Sequence, residues 1–331
     1  GYTAAESAGK AGLSVLLIEK NNLGGVCLNE GCIPTKTLLY SAKTYDSAKH
    51  ASKYAINVSE VSFDLSKIIV RKSKVVRKLV LGVKAKLASN NVAIVSGEAQ
   101  IIDKNTVRCG EETYEGENLI LCTGSETFIP PIPGVETVNY WTHRDALDNK
   151  ELPASLAIVG GGVIGMEFAS FFNSLGVQVT VVEMLDEILG GMDKELSALL
   201  RAEYAKRGIK FLLSTKVVGL SQTEGGAVVS YENAEGSGNV VAEKLLMSVG
   251  RRPVTKGFGL ENLNLEKTER GAVKVDEKMQ TSVPGVYVCG DLTGFSLLAH
   301  TAVREAEVAV HSILGKEDTM SYRAIPGVVY T

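Results

Sequence analysis

One stretch decides most of what this chain can fold into. Leu156-Ala157-Ile158-Val159 is a short apolar run that passes directly into Gly160-Gly161-Gly162-Val163-Ile164-Gly165. The pattern predicts a strand, a glycine turn and a helix from Met166 to Leu175. A second strand, Val177 to Val182, then ends on Glu183. By itself such a glycine pattern is weak. Framed by strand, helix, strand and a terminal acid, it is the fingerprint of a dinucleotide-binding βαβ unit. The glycines let the backbone approach a pyrophosphate, and the helix N-terminus stabilises its charge. Glu183 would accept hydrogen bonds from the adenosine ribose hydroxyls.

The first residues repeat this unit with its front removed. Gly1 lies 18 residues before Glu19, as Gly165 does before Glu183. Ala5 then matches Ala169, Gly12 matches Gly176, Val15 matches Val179 and Ile18 matches Val182. Gly1 takes the place of the third fingerprint glycine. The expectation is an α/β chain with two Rossmann-like dinucleotide-binding domains.

The bulk properties agree. A chain of 331 residues is long enough for two cores, and 45% of it is hydrophobic. With 35 basic and 38 acidic residues the net charge is −3, which argues against nucleic acid and membrane surfaces as partners. No apolar run reaches a membrane-spanning length. Five cysteines are too few and too scattered for a secreted disulfide scaffold. Of these, Cys122 and Cys289 end short apolar runs and read as small core residues.

Two other cysteines stand apart, in Gly24-Gly25-Val26-Cys27-Leu28-Asn29-Glu30-Gly31-Cys32-Ile33-Pro34-Thr35-Lys36. Four intervening residues allow a small closed disulfide loop. Pro34 fits the first turn of a helix, and Thr35 to Ala48 reads as helical. Cys32 therefore falls at a helix N-terminus, where the macrodipole stabilises a thiolate, and Lys36 adds a positive charge one turn on. These are the ingredients of thiol–disulfide exchange. A structural disulfide is the plainer alternative. A zinc site would want a second ligand pair, and none with suitable spacing follows, so no metal is expected.

The run Cys-Leu-Asn-x-Gly-Cys-Ile-Pro-Thr-Lys closely resembles the redox segment of the dihydrolipoyl dehydrogenase family of flavin disulfide oxidoreductases. Glutathione and mercuric reductases differ in the residues following each cysteine. The resemblance extends along the chain. Leu119 to Ser125 reads as a strand ending in a tight turn at Thr123-Gly124-Ser125. Thr281 to Asp291 reads as a strand leading to an exposed acid and resembles the second FAD fingerprint. Leu297-Leu298-Ala299-His300 opens a helix through His311 whose positive end, in the family, faces the flavin.

The resemblance implies FAD contacts at Gly1, Glu19, Lys20, Gly24, Gly25, Val26, Cys27, Lys36, Ala99, Thr123, Gly124, Ser125, Asp291, Leu297, Leu298, Ala299 and His300. It implies NAD contacts at Gly160, Gly162, Val163, Ile164, Gly165, Glu167, Glu183, Val217 and Gly250. Glu183, with no Arg before Arg201, favours NAD over NADP. In the implied reaction a dihydrolipoyl thiolate attacks Cys27, Cys32 passes electrons to the flavin, and hydride moves to NAD⁺. Lys36 would pair with Glu167 near the flavin's reactive nitrogen.

The implied domains are FAD-binding at 1–148 and 273–320, with its first strand missing, NAD-binding at 149–272, and a stub of an interface domain at 321–331. The family's His–Glu base lies in that C-terminal interface domain, which is missing from this sequence. The chain thus reads as trimmed at both ends, holding FAD weakly or not at all, with negligible lipoamide turnover by itself. The implied partners are the lipoyl-bearing acyltransferase or aminomethyl-carrier component of a 2-oxoacid dehydrogenase or glycine cleavage complex, with a homodimer in the full-length protein and a cytoplasmic location. Another flavin disulfide reductase, or a nucleotide-binding piece without turnover, remains open here. Elsewhere, Tyr45 to Val92 reads as two amphipathic helices with a solvated basic face, and Asn233 to Asn239 as a turn.

Overall fold

A computed structural model describes residues 1–331. Eight α-helices are α1 (Tyr2–Lys10), α2 (Gly25–Glu30), α3 (Cys32–Lys49), α4 (Leu65–Ser89), α5 (His143–Asp148), α6 (Val163–Ser174), α7 (Lys194–Lys206) and α8 (Ala299–Ile313). None is long and apolar enough to cross a membrane. Packing groups the chain into two units. One comprises Gly1–Asn29, Arg77–Glu126 and Arg251–Pro326, the other Glu30–Val76, Thr127–Gly250 and Gly327–Thr331.

The second unit is built on a five-stranded parallel sheet. Ser155–Val159 lies at its centre, flanked by Gln178–Val182 and Lys244–Met247, with Lys210–Leu212 and Tyr140–Trp141 at the edges. Its central strand is apolar on both faces, as a covered parallel strand requires. Leu156 and Ile158 face one core with Phe168, Phe171 and Phe172 of α6 and Leu38, Leu39 and Ala42 of α3. Ala157 and Val159 face the other core, with Val182, Leu245 and Met247. A three-stranded antiparallel meander, Lys216–Thr223, Gly226–Asn233 and Gly236–Ala242, packs on that second face.

The first unit holds the same parts in the same chain order. Leu16–Glu19 pairs in parallel with Ala93–Ser96, as Gln178–Val182 does with Lys210–Leu212. A meander follows, Ala99–Ile101, Thr106–Cys109 and Glu112–Glu115. Leu119–Leu121 then pairs in parallel with Val286–Val288. The sequence repeat is therefore an architectural one. Ala4 and Ala8 of α1 and Ala306, Ala309 and Val310 of α8 pack together around Tyr287 and Cys289. Small residues on α1 let the two helices approach closely.

Three local expectations change. Between Tyr45 and Val92 there is the end of α3, a 3₁₀ turn at Ala51–Tyr54 and one helix, α4, of 25 residues. Its buried stripe includes Ile69, Val83 and Leu87, whereas Leu79 is exposed. Asn233 and Gly236 already pair across the meander, so only two residues turn there, not the full 233–239 stretch. Cys289 is buried as expected, but Cys122 is half-buried.

Candidate redox and nucleotide sites

Cys27 and Cys32 are joined in a disulfide. Cys27 lies in the short helix α2, and Cys32 is the first residue of α3. Gly31 occupies the N-cap position of α3 without a side-chain cap, and the first turn carries no acid. The first N–H groups of an 18-residue helix thus converge beside Cys32 with no carboxylate to neutralise them. Thr35 turns its hydroxyl back to the Gly31 carbonyl at 2.7 Å, tightening the first turn.

Lys36 and Glu167 are brought into one neighbourhood with Tyr330 beside both. The Lys36 ammonium stands 4.0 Å from the centre of the Tyr330 ring, a cation–π distance. The Tyr330 backbone N–H donates to Glu167 Oε1 at 3.0 Å. Burial pushes the Glu167 carboxyl up to about 7, against the Tyr330 N–H and the Lys36 charge, which both pull it down. A carboxyl group that changes charge near neutral pH marks a candidate functional position. Sequence reading paired the two charges and missed Tyr330, which lies 163 positions from Glu167 and in no motif.

The glycine turn of the second unit is tight for a specific reason. A Cβ on Gly165 would stand 2.2 Å from the Gly160 carbonyl oxygen and 2.7 Å from Ser248 Oγ. Gly165 lets α6 close onto the strands. At Gly162, by contrast, a Cβ would meet nothing within 4 Å. Gly162 is the N-cap of α6, followed by Val163 and Ile164, so the open space lies where helix N–H groups point. The residues present fit a dinucleotide pyrophosphate at this place.

Glu183 follows the strand Gln178–Val182, and its two oxygens accept from Gly161 N at 2.5 Å and Leu185 N at 2.8 Å. Glu19, its counterpart in the first unit, accepts from Asn21 N at 2.9 Å in the same i+2 manner. Both acids are half-buried at the tip of their strands. Lys20 points out to Glu98 at 3.7 Å. Val217 is half-buried in the meander, packed on the second core, and Gly250 accepts from Phe128 N at 3.0 Å.

In the first unit, the turns after two strands meet. Ser125 Oγ donates to Asp291 Oδ2 at 2.5 Å. Arg251 donates to Ser125 through Nε to Oγ at 2.7 Å and through an NH₂ nitrogen to the backbone oxygen at 2.6 Å. Asp291 is thus half-buried and engaged, not the exposed acid the sequence suggested, because the turn Gly290–Thr293 folds back toward Ser125. Thr123 donates to the Val254 carbonyl at 3.0 Å, and Gly124 accepts from Val254 N. Arg251 lies 126 positions from Ser125, and no local pattern announces the tie.

The remaining candidates sit at element ends. Gly1 is exposed at the foot of α1, Gly25 and Val26 open α2 after Gly24, and Ala99 begins a meander strand. Leu298 is the N-cap residue of α8, followed by exposed Ala299 and His300, with exposed Leu297 before it.

Comparison with known proteins agrees with this geometry. The model of the pyridine nucleotide-disulphide oxidoreductase family matches residues 1–306. A dihydrolipoyl dehydrogenase of Geobacillus stearothermophilus is 38% identical over 336 residues, covering 100% of this chain and 71% of that protein. Among solved structures, LpdA from Mycobacterium tuberculosis superposes with a TM-score of 0.90 at 26% identity, over 100% of this chain and 74% of its own. The HOCl-induced flavoprotein disulfide reductase RclA from Escherichia coli gives a TM-score of 0.83 at 31% identity, over 97% of this chain and 70% of its own.

Proposed function

This chain belongs to the pyridine nucleotide-disulphide oxidoreductase family, and from that premise we propose that it is a dihydrolipoyl dehydrogenase. The observation that carries the reading is the Cys27–Cys32 disulfide with Cys32 opening an uncapped helix. A dihydrolipoyl thiolate attacks Cys27 Sγ, forming a mixed disulfide and releasing Cys32 as a thiolate, which the α3 N-terminus stabilises. The second lipoyl thiol then displaces Cys27, so that the lipoyl group leaves as a disulfide and both cysteines are reduced. Lys36 and Glu167 hold positive charge and an exchangeable proton in one neighbourhood. FAD, when bound, supplies the two-electron relay from the dithiol to NAD⁺.

Glu19, Ser125 and Asp291 hold FAD through its ribose and ribityl hydroxyls, and Gly1, Gly24, Gly25 and the α8 start line it. Gly160 to Gly165 hold the NAD pyrophosphate, Glu183 its ribose, and Val217 and Gly250 its edge. The flavin domain runs over 1–148 and 273–320 and the NAD domain over 149–272, with 321–331 beginning an interface domain. The electron donor is the lipoyl arm of an acyltransferase or aminomethyl-carrier component, the full-length protein is a homodimer, and it works in the cytoplasm.

The test supplies the full-length homodimer with FAD, NAD⁺ and dihydrolipoamide and follows NADH. Cys27→Ser and Cys32→Ser are each expected to bring the rate to background. Oxidation of dihydrolipoamide at the parent rate by either variant, or turnover confined to glutathione disulfide and NADPH, would sink the assignment.

A further inference from the structure

Glu305 is a fully buried acid that the redox reaction does not use. It lies in the middle of α8 at 0% exposure, where a helical glutamate ordinarily reaches water. Both oxygens are engaged. Gly290 N donates to Oε2 at 2.5 Å, and Tyr322 OH donates to Oε1 at 2.7 Å. Thr293 Oγ1 stands 3.5 Å from Oε1 and donates to the Gly290 carbonyl at 3.0 Å. Gly290 and Thr293 are the two ends of the 3₁₀ turn that carries Asp291. The Tyr322 ring is stacked on Phe295 just beyond that turn, with ring centres 4.2 Å apart.

We propose that Glu305 is a positioning residue: its buried carboxyl group clamps the Gly290–Thr293 turn to α8 and so sets where Asp291 stands to receive the flavin's ribityl chain. The proposal rests on the FAD assignment above. A merely space-filling residue at 305 would leave the buried Gly290 N–H and the half-buried Tyr322 hydroxyl without this acceptor, and an unmet buried donor costs more than its bond contributes. The titratable groups that face Glu305 are Asp291 and Cys289, on the turn and the strand before it, and Tyr322 from the segment after α8. Arg304, its neighbour in sequence, is turned instead to Asp318. Burial pushes the Glu305 carboxyl up to about 7, and the Asp291 charge pushes the same way against the Tyr322, Gly290 and Thr293 bonds. The clamp therefore exchanges its proton in the neutral range.

The experiment has a local arm and a ligand arm. In glycine-labelled protein without flavin, the Gly290 amide resonance is expected to titrate with a midpoint near 7, and to stay fixed in Glu305→Gln. In Glu305→Ala, amide exchange over 289–293 is expected to accelerate. FAD affinity, read by flavin fluorescence, is expected to fall about tenfold in Glu305→Ala and to stay within about threefold in Glu305→Gln, which keeps an acceptor of the same shape. Amide exchange over 289–293 that stays at the parent rate in Glu305→Ala overturns the clamp, and a Gly290 resonance that titrates equally in Glu305→Gln overturns Glu305 as the group it reads. Accelerated exchange with unchanged FAD affinity in Glu305→Ala overturns its positioning role. A full-length parent protein that takes up no FAD overturns the flavin assignment instead, while amide exchange over 289–293 still decides whether Glu305 holds the turn.

Discussion

A carboxyl group pushed up to about 7 by burial, as at Glu167, holds its proton more tightly in the folded chain than in the unfolded one. The stability this gives is fully present below the ordinary value of 4.5 and is lost as pH rises through about 7. Glu167→Gln removes the titration and keeps the acceptor for Tyr330 N. The variant is expected to gain thermal stability over its parent between pH 5 and pH 8, with the difference appearing across that window. Unfolding curves at the two pH values that shift by the same amount would show that Glu167 is not protonated by burial. A second acid carries the proposed preference for NAD. Glu183 accepts from Gly161 and Leu185 at the strand tip, and Asp186 beside it holds Lys194 at 2.8 Å on the surface. Glu183→Gln with Asp186→Arg removes the charge that repels a 2′-phosphate and supplies one that attracts it. NADP affinity is expected to rise relative to NAD, and an unchanged ratio in a binding titration would place the ribose elsewhere.

At the scale of elements, the glycine turn separates what folding needs from what a ligand needs. Gly165→Ala drives a Cβ into the Gly160 carbonyl, and overpacking of this kind costs about 1–3 kcal/mol or more. Gly162→Ser enters open space at an N-cap, where serine is a preferred residue. The first variant is expected to lose stability. The second is expected to keep it and still bind NAD about tenfold more weakly, because its side chain takes the space the pyrophosphate needs. Equal NAD affinity in Gly162→Ser and parent, by calorimetry, would move the pyrophosphate away from the α6 N-terminus.

Both elements of this turn were legible in the sequence, since local pattern sets them. So was α3, whose start at Cys32 follows from Pro34. The single helix α4 was not. Its apolar residues occur so often that several stripes fit, and only packing selects Ile69, Val83 and Leu87. The partners of Glu167, Ser125 and Glu305 were hidden for a related reason. Tyr330, Arg251 and Tyr322 reach them from 163, 126 and 17 positions away, and no periodicity records such contacts.

Across the whole molecule, the repeat makes a claim about ligands that neither half makes alone. Each unit has a strand tip with an acid curled onto an i+2 amide, Glu19 on Asn21 and Glu183 on Leu185. Each has a meander between its early and late parallel strands. The Ser125–Asp291–Arg251 cluster lies in the first unit, and the Gly160–Gly165 turn lies in the second. On the reading proposed above, the hydroxyl-binding cluster serves FAD and the glycine turn serves NAD. A ligand stabilises the state that binds it, and hydrogen exchange reads that stabilisation segment by segment. NAD is therefore expected to slow exchange over 160–166 and 183–189, leaving 286–293 unchanged. FAD is expected to slow exchange over 19–21, 123–125 and 290–293, leaving 183–189 unchanged. If NAD and FAD protected the same segments, the assignment of one nucleotide to each unit would fail.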